Sequence, residues 1–265
     1  MAMRPIAGRA LWRSSVLRML VCAGVLAVYA WPTGALERAV TASPIAWLWL
    51  LGSTMCSMVT GDSLYFMAAA RIGVARALPI ASAFPLLTTL GAVVLLNEPP
   101  TVALIAGSAL VVLAVALIGG ERARGGGRID VIGLLLAGLA ACMWAASGLF
   151  LGPALKILDP IAANMIRFPI GAIVFTAYLA AVRPSEHLTS RLVWLSLAAA
   201  IGTLASAMLF LGGIASAGVA RGVALNATSP VFSAVLAAVL LREKVSKRAA
   251  LGIASSVLGT VLLVV

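Results

Sequence analysis

Residues 73–98 are written a second time at 218–243, and that repetition leaves few folds open to the chain. The first copy reads Gly73-Val74-Ala75-Arg76, an apolar run broken by Pro85, then Leu95-Leu96-Asn97-Glu98. The second reads Gly218-Val219-Ala220-Arg221, an apolar run broken by Pro230, then Leu240-Leu241-Arg242-Glu243. At a constant offset of 145, ten of the 26 positions are identical without a gap. Chance in a chain so rich in Ala, Leu and Val gives roughly three or four such matches, so the likeness reads as an internal repeat. The same offset pairs Trp49 with Trp194, Gly107 with Gly252 and Val112-Leu113 with Val257-Leu258. Each copy opens with an Arg and closes with a Glu, and the ~20 apolar residues between them suffice to cross a bilayer. The sequence is that of a duplicated membrane protein.

Composition agrees, with 63% hydrophobic and 10% charged residues, more apolar surface than a soluble domain of 265 residues can hide. The net charge of +11 could suggest nucleic acid. However, the basic residues stand singly at helix ends, without a patch or interleaved aromatics, so no nucleic-acid partner is expected. Cys22, Cys56 and Cys142 fall in apolar segments and read as buried small hydrophobes. The N-terminal arginines run too far for a usual signal peptide, and no small-residue cleavage site follows the first apolar run.

Apolar runs predict an all-α bundle of nine spanning helices, near 16–36, 45–69, 72–96, 102–119, 131–152, 161–182, 192–213, 217–241 and 248–265. A Gly/Arg-rich linker at 121–130 divides a first repeat, 1–120, from a second, 131–265. The first repeat has four helices and the second five. Leu17-Arg18-Met19 with Tyr29 matches Ile166-Arg167-Phe168 with Tyr178 at an offset of 149, so nothing in the first half answers to 131–152. A repeat unit of odd helix number turns one copy upside down relative to the other, which predicts inverted halves. One face of this topology carries 15 of the 19 Lys and Arg residues. The positive-inside rule makes that face cytoplasmic and leaves Val265 outside.

No enzyme signature survives. The single His187 stands in a polar loop beside Glu186, so a triad or a His-based metal site has no material, and neither a metal nor a cofactor is expected. Gly61-Asp62 resembles the aspartyl motif of intramembrane proteases, but Asp130 and Asp159 sit at helix ends and supply no second carboxylate. Asp62 is the most informative residue. Nine positions from Arg71, it lies ~13 Å into the membrane, where a charge costs several kcal/mol unless paired, protonated or wetted. It is either a proton or substrate site, or a protonated group bonded to a neighbouring helix. Ser57, Thr60 and Ser63 give it a polar face. Asn226 either lines a cavity or bridges helices, and Trp144, at mid-helix, either lines a cavity or packs in the core. Pro85 and Pro230 are expected to kink helices that face the bundle interior, where neighbours or water satisfy the freed carbonyl. Arg167 is expected to snorkel to a helix end, contact with an anionic group being the alternative. Arg76, Glu98, Arg221 and Glu243 mark helix ends, where orientation and local pairing are their expected work. Small residues, as in Gly202-x3-Ser206 and Gly252-x-x-Ser255, are expected to let helices approach closely.

These motifs resemble the EamA-type transporters of the drug/metabolite transporter superfamily. The likeness rests on a helix with an internal Pro, a terminal Leu-Leu-x-Glu and a following helix with an early Gly. It occurs twice, as Pro85–Glu98–Gly107 and as Pro230–Glu243–Gly252. The resemblance implies ten helices in two five-helix repeats around a central cavity that exports or exchanges small metabolites such as amino acids or drugs. Carried over by position, it implies Asp62, Tyr65, Trp144 and Asn226 as cavity residues. The family's first helix has no counterpart here. Either a start upstream of Met1 encodes it, or a lipid or a second copy of the chain covers the gap. The expected function is secondary transport by alternating access in a bacterial-type inner membrane, with lipid and a small solute as partners and a proton or a homodimer as open candidates. A non-transporting scaffold subunit and a flippase for lipid-linked intermediates are the alternatives.

Overall fold

The computed structural model describes residues 7–122, 130–182, 189–226, 228 and 247–264. Every element among them is helical. In chain order they are α1 (Ala7–Thr33), α2 (Ala35–Val40), α3 (Pro44–Thr54), a π-helical segment (Met55–Gly61), α4 (Asp62–Ile72), α5 (Val74–Ala81) and α6 (Phe84–Leu96). There follow α7 (Val102–Arg122), α8 (Val131–Leu155), α9 (Pro160–Val182), α10 (Ser190–Ala217), α11 (Val219–Asn226) and α12 (Lys247–Val264).

Local chemistry sets the starts of these helices. Ser43 and Thr189 accept from the third backbone N–H beyond them, and Asp130 does the same for Gly133 at 3.1 Å. Asp159 takes both Ile161 N–H at 3.0 Å and Ala162 N–H at 3.1 Å. Each such cap satisfies a donor that the first turn leaves orphaned, worth ~1 kcal/mol. Among the described residues, four helices are long and apolar enough to cross a membrane: Arg13–Thr33, Val131–Leu155, Pro160–Ala181 and Leu192–Ala217. The span expected at 45–69 is present as α3, the π-helical segment and α4 in succession.

The span expected at 72–96 is a correction. Pro85 does not kink one continuous helix. Instead α5 ends at Ala81, and α6 starts at Phe84 with Pro85, buried, in its first turn. A proline there removes no intrahelical bond and presets the backbone angle, so a complete break costs little. The second copy behaves alike as far as it is described: α11 has eight residues, as α5 has, and ends at Asn226. Pro230 and Glu243 lie outside the described residues.

Both copies start for the same reason. Gly73 has φ +83° and Gly218 φ +88°, a region closed to residues with a Cβ, so each Gly turns the chain sharply into α5 or α11. The matched helices α7 and α12 pack closely, and the facing of Gly107 with Leu263 and of Gly259 with Val111 makes them antiparallel. A methyl group added at Gly107 would meet Leu263, while one added at Gly259 would meet Leu110 and Val111. Such close approach through small residues is how helices gain contact where lipid gives no hydrophobic drive. The matched helices α1 and α9 also pack on each other. Two ion pairs close opposite ends of the bundle: Arg38 with Asp159 at 2.8 Å and Arg71 with Asp130 at 3.1 Å. The two repeats are inverted copies in one helical bundle.

Candidate functional site: an open cavity beside Asp62 and Arg167

The π-helical segment carries Ser57 and delivers the chain to Asp62 at the start of α4. Wide turns of this kind recur at functional sites, because they redirect side chains that a regular helix would space evenly. Trp144 on α8 donates its indole N–H to Asp62 Oδ1 at 3.1 Å. That approach requires Gly61, where an added Cβ would lie 2.6 Å from the indole ring and 2.7 Å from the Cys56 carbonyl oxygen. Tyr65, with its ring centroid 5.5 Å from that of Trp144, and Phe84, edge-on at 5.7 Å, hold the indole in place.

Asp62 also borders a cavity of about 450 Å³ with Ser57, Met58, Arg167, Asn226 and one face of α10. The α10 face is Ala199, Gly202, Thr203, Ser206, Ala207 and Phe210, spaced as one helical stripe. This corrects the expected role of Gly202-x3-Ser206. A Cβ added at Gly202 would meet nothing within 4 Å, so the motif opens space here and does not bring two helices together. Gly222 does serve close approach, since a Cβ there would sit 2.6 Å from the Ile214 backbone nitrogen.

Arg167 is a second correction. It does not snorkel, being only 3% exposed on α9. Its Nη1 donates to Asn164 Oδ1 and its Nη2 to Ser57 Oγ, both at a long 3.4 Å, and its Nε has no hydrogen-bond partner among the described residues. Asn164, fully buried, is held in turn by donating to the Ala207 carbonyl of α10 at 3.4 Å. Arg18, the repeat counterpart of Arg167, likewise has a buried Nε without a partner among the described residues.

The structure therefore brings Asp62 and Asn226 to one cavity, while Tyr65, Trp144 and Pro85 are not among its lining residues. Sequence reasoning passed over Arg18, Asn164, Thr203 and Ser206 as site residues. The offset-149 match was the available signal for Arg18, and the i, i+3, i+4 spacing of small polar residues on α10 was the signal for the other wall. At the outer ends of α6 and α8 a smaller cavity of about 340 Å³ is lined by Glu98, Lys156 and Gly218, among others. Glu98 accepts from Val219 N–H at 2.7 Å and Ala220 N–H at 3.1 Å there. Arg221 follows in the same turn of α11, and Arg76 occupies the matching place in α5.

A membrane-embedded bundle of inverted repeats with an open cavity that bears several polar side chains defines a class, that of integral multi-pass carriers. The profile of the EamA-like transporter family matches residues 7–120 and 131–265, and the chain belongs to that family. A curated relative from Archaeoglobus fulgidus, described as an uncharacterized transporter, is 28% identical over 215 residues, 81% of this chain and 74% of that one. A solved crystal structure superposes with a TM-score of 0.77 at 20% identity, covering 95% of this chain and 86% of the other, a likeness of fold. The protein is a membrane transporter.

Proposed function

We propose that the chain is a secondary transporter that exports or exchanges small polar or amphipathic metabolites by alternating access of its two inverted halves. The observation that carries this reading is the open 450 Å³ cavity, which sets Asp62, Arg167, Asn226, Thr203 and Ser206 around one space beside α10 in a largely apolar bundle. Charged side chains at that depth are costly, and burial is tolerated where they serve a solute or ion path. The break in the first copy of the repeat helix, between Ala81 and Phe84, supplies a point about which the halves can rock. The charge bias supports an orientation with the 121–130 linker in the cytoplasm, in a bacterial-type inner membrane. A proton carried on Asp62 is the coupling ion this arrangement favours, and a homodimer is compatible with it.

Purified protein in liposomes, preloaded with unlabelled amino acids, carboxylates, sugars or drugs, tests the reading by counterflow of the labelled solute. Exchange of at least one class, absent from empty liposomes and from a cavity-filled variant, is the expected result. No exchange across the whole panel would favour a scaffold subunit.

A further inference from the structure

The charged groups around the cavity do not balance. Among the described residues, the interior of the bundle holds two arginines on matched helices, Arg18 on α1 and Arg167 on α9, and one carboxylate, Asp62. The Arg18 Nε is buried and has no hydrogen-bond partner among the described residues. Arg167, almost wholly buried, has only a neutral amide and a neutral hydroxyl, both at 3.4 Å, and its Nε hydrogen is unused among the described residues. A guanidinium carries five donors in a planar fork suited to an oxyanion, and a buried cation without a counter-charge costs several kcal/mol. Yet the side chain borders a space large enough for a small organic molecule, rimmed by the hydroxyls of Ser57, Thr203 and Ser206 and by the Asn226 amide. With Asp62 in its proton-free state, the three charges sum to +1 and call for one negative charge more.

Resting on the transport reading of this cavity, we propose that its solute is a small organic monoanion whose carboxylate seats on Arg167. The hydroxyl-bearing stripe of α10 contacts the polar part of the same molecule. Asp62 lines the same cavity and offsets one of the two arginine charges, and so limits the site to a single negative charge. A solute carrying two carboxylates would leave one of them unpaired in the bundle, next to the Asp62 carboxylate.

The experiment uses the intact chain in detergent and a panel of monocarboxylates from lactate to indole-3-acetate, each beside its primary amide, with succinate and malate as dianions. Thermal unfolding at constant ionic strength reads binding. At least one monocarboxylate should stabilise the protein in a concentration-dependent way, with its amide and the dianions at least tenfold weaker. Arg167→Gln should remove that stabilisation, whereas Arg167→Lys, which keeps the charge and guards against a folding defect, should retain part of it. Asp62→Asn, which leaves the interior one positive charge richer, should raise the affinity for succinate or malate relative to the monocarboxylate at least tenfold. No stabilisation by any carboxylate, a preference for amides or amines, or undiminished carboxylate binding by Arg167→Gln would overturn the proposal. The same panel in liposome counterflow separates the two readings. Carboxylate binding without exchange sinks the carrier and leaves the anion site, while exchange confined to amines or neutral solutes sinks the anion site and leaves the carrier.

Discussion

Glu98 and Val219 join the end of one repeat to the beginning of the other: the Glu98 carboxylate accepts Val219 N–H at 2.7 Å. Its second oxygen takes Ala220 N–H at 3.1 Å, so one side chain satisfies two orphan donors at the positive end of α11. Gly218 completes the contact, because a Cβ there would stand 3.2 Å from Glu98 Oε1 on a backbone at φ +88°. This is where the sequence motif becomes mechanical. The Leu-Leu-x-Glu that closes the first copy holds the Gly-Val-Ala-Arg that opens the second, and only antiparallel halves can bring these together.

Glu98→Ala should therefore destabilise the protein by about 1–3 kcal/mol, the range for losing hydrogen bonds to a charged group. Glu98→Gln, which keeps one acceptor, should cost less. Thermal unfolding of the two variants in detergent measures the order. A Glu98→Ala melting temperature equal to that of the parent would show that the cap carries no stability.

Gly61→Ala should act on Trp144, not on α4 itself. The added methyl would meet the indole at 2.6 Å and the Cys56 carbonyl oxygen at 2.7 Å, so the ring must move and its bond to Asp62 must break. Loss of a buried hydrogen bond to a carboxylate, together with the displaced ring, should cost about 2–4 kcal/mol. The check is a double-mutant cycle with Trp144→Phe. Because the two changes destroy the same contact, their effects should fall well short of additive. Full additivity would place the damage elsewhere.

How much of this was legible from the sequence differs between fold and site. The repeat predicted the inverted halves, and Gly73 and Gly218 were visible as its first residues before their positive φ angles explained them. The break at Ser82–Ala83 was not visible, because Pro85 in the first turn of a new helix reads like a proline that kinks an old one. Hydropathy reports the depth of a residue in the bilayer but not the direction it faces. Hence Arg167 read as a snorkelling residue, although α9 turns it inward against Ser57 and Asn164. The Trp144–Asp62 bond spans 82 positions, and no local pattern announces such a contact.

Asp159 gives a pH test at the bundle's end. Its partial burial pushes the carboxyl up, but Ala162 N–H, the Arg38 guanidinium and Ile161 N–H outweigh it and hold the group below its ordinary 3.8. A depressed folded-state value means that the contribution is complete above the unfolded carboxylate's value and is lost as pH falls through the folded one. Asp159→Ala should then lower the melting temperature at pH 7 by an amount corresponding to ~1 kcal/mol or somewhat more, the cap and the ion pair together. The gap between parent and variant should close as the pH drops below about 4. A gap that persisted unchanged in acid would mean that packing, not charge, sets the cost.

Gly202 separates cavity from scaffold most directly. It stands mid-way along α10 on the stripe that borders the cavity, and a Cβ there would meet nothing within 4 Å. Gly202→Leu therefore has room for its side chain without strain, and replacing Gly inside a helix favours folding by about 1 kcal/mol. The same side chain fills part of the 450 Å³ between Arg167 and Ser206. Counterflow in liposomes should fall at least tenfold while the melting temperature holds or rises. The contrasting change is Gly222→Leu. It drives a side chain into the Ile214 backbone, where even a Cβ would sit at 2.6 Å, and should lower stability and transport together. If Gly202→Leu leaves exchange intact, the solute path does not run along this face of α10.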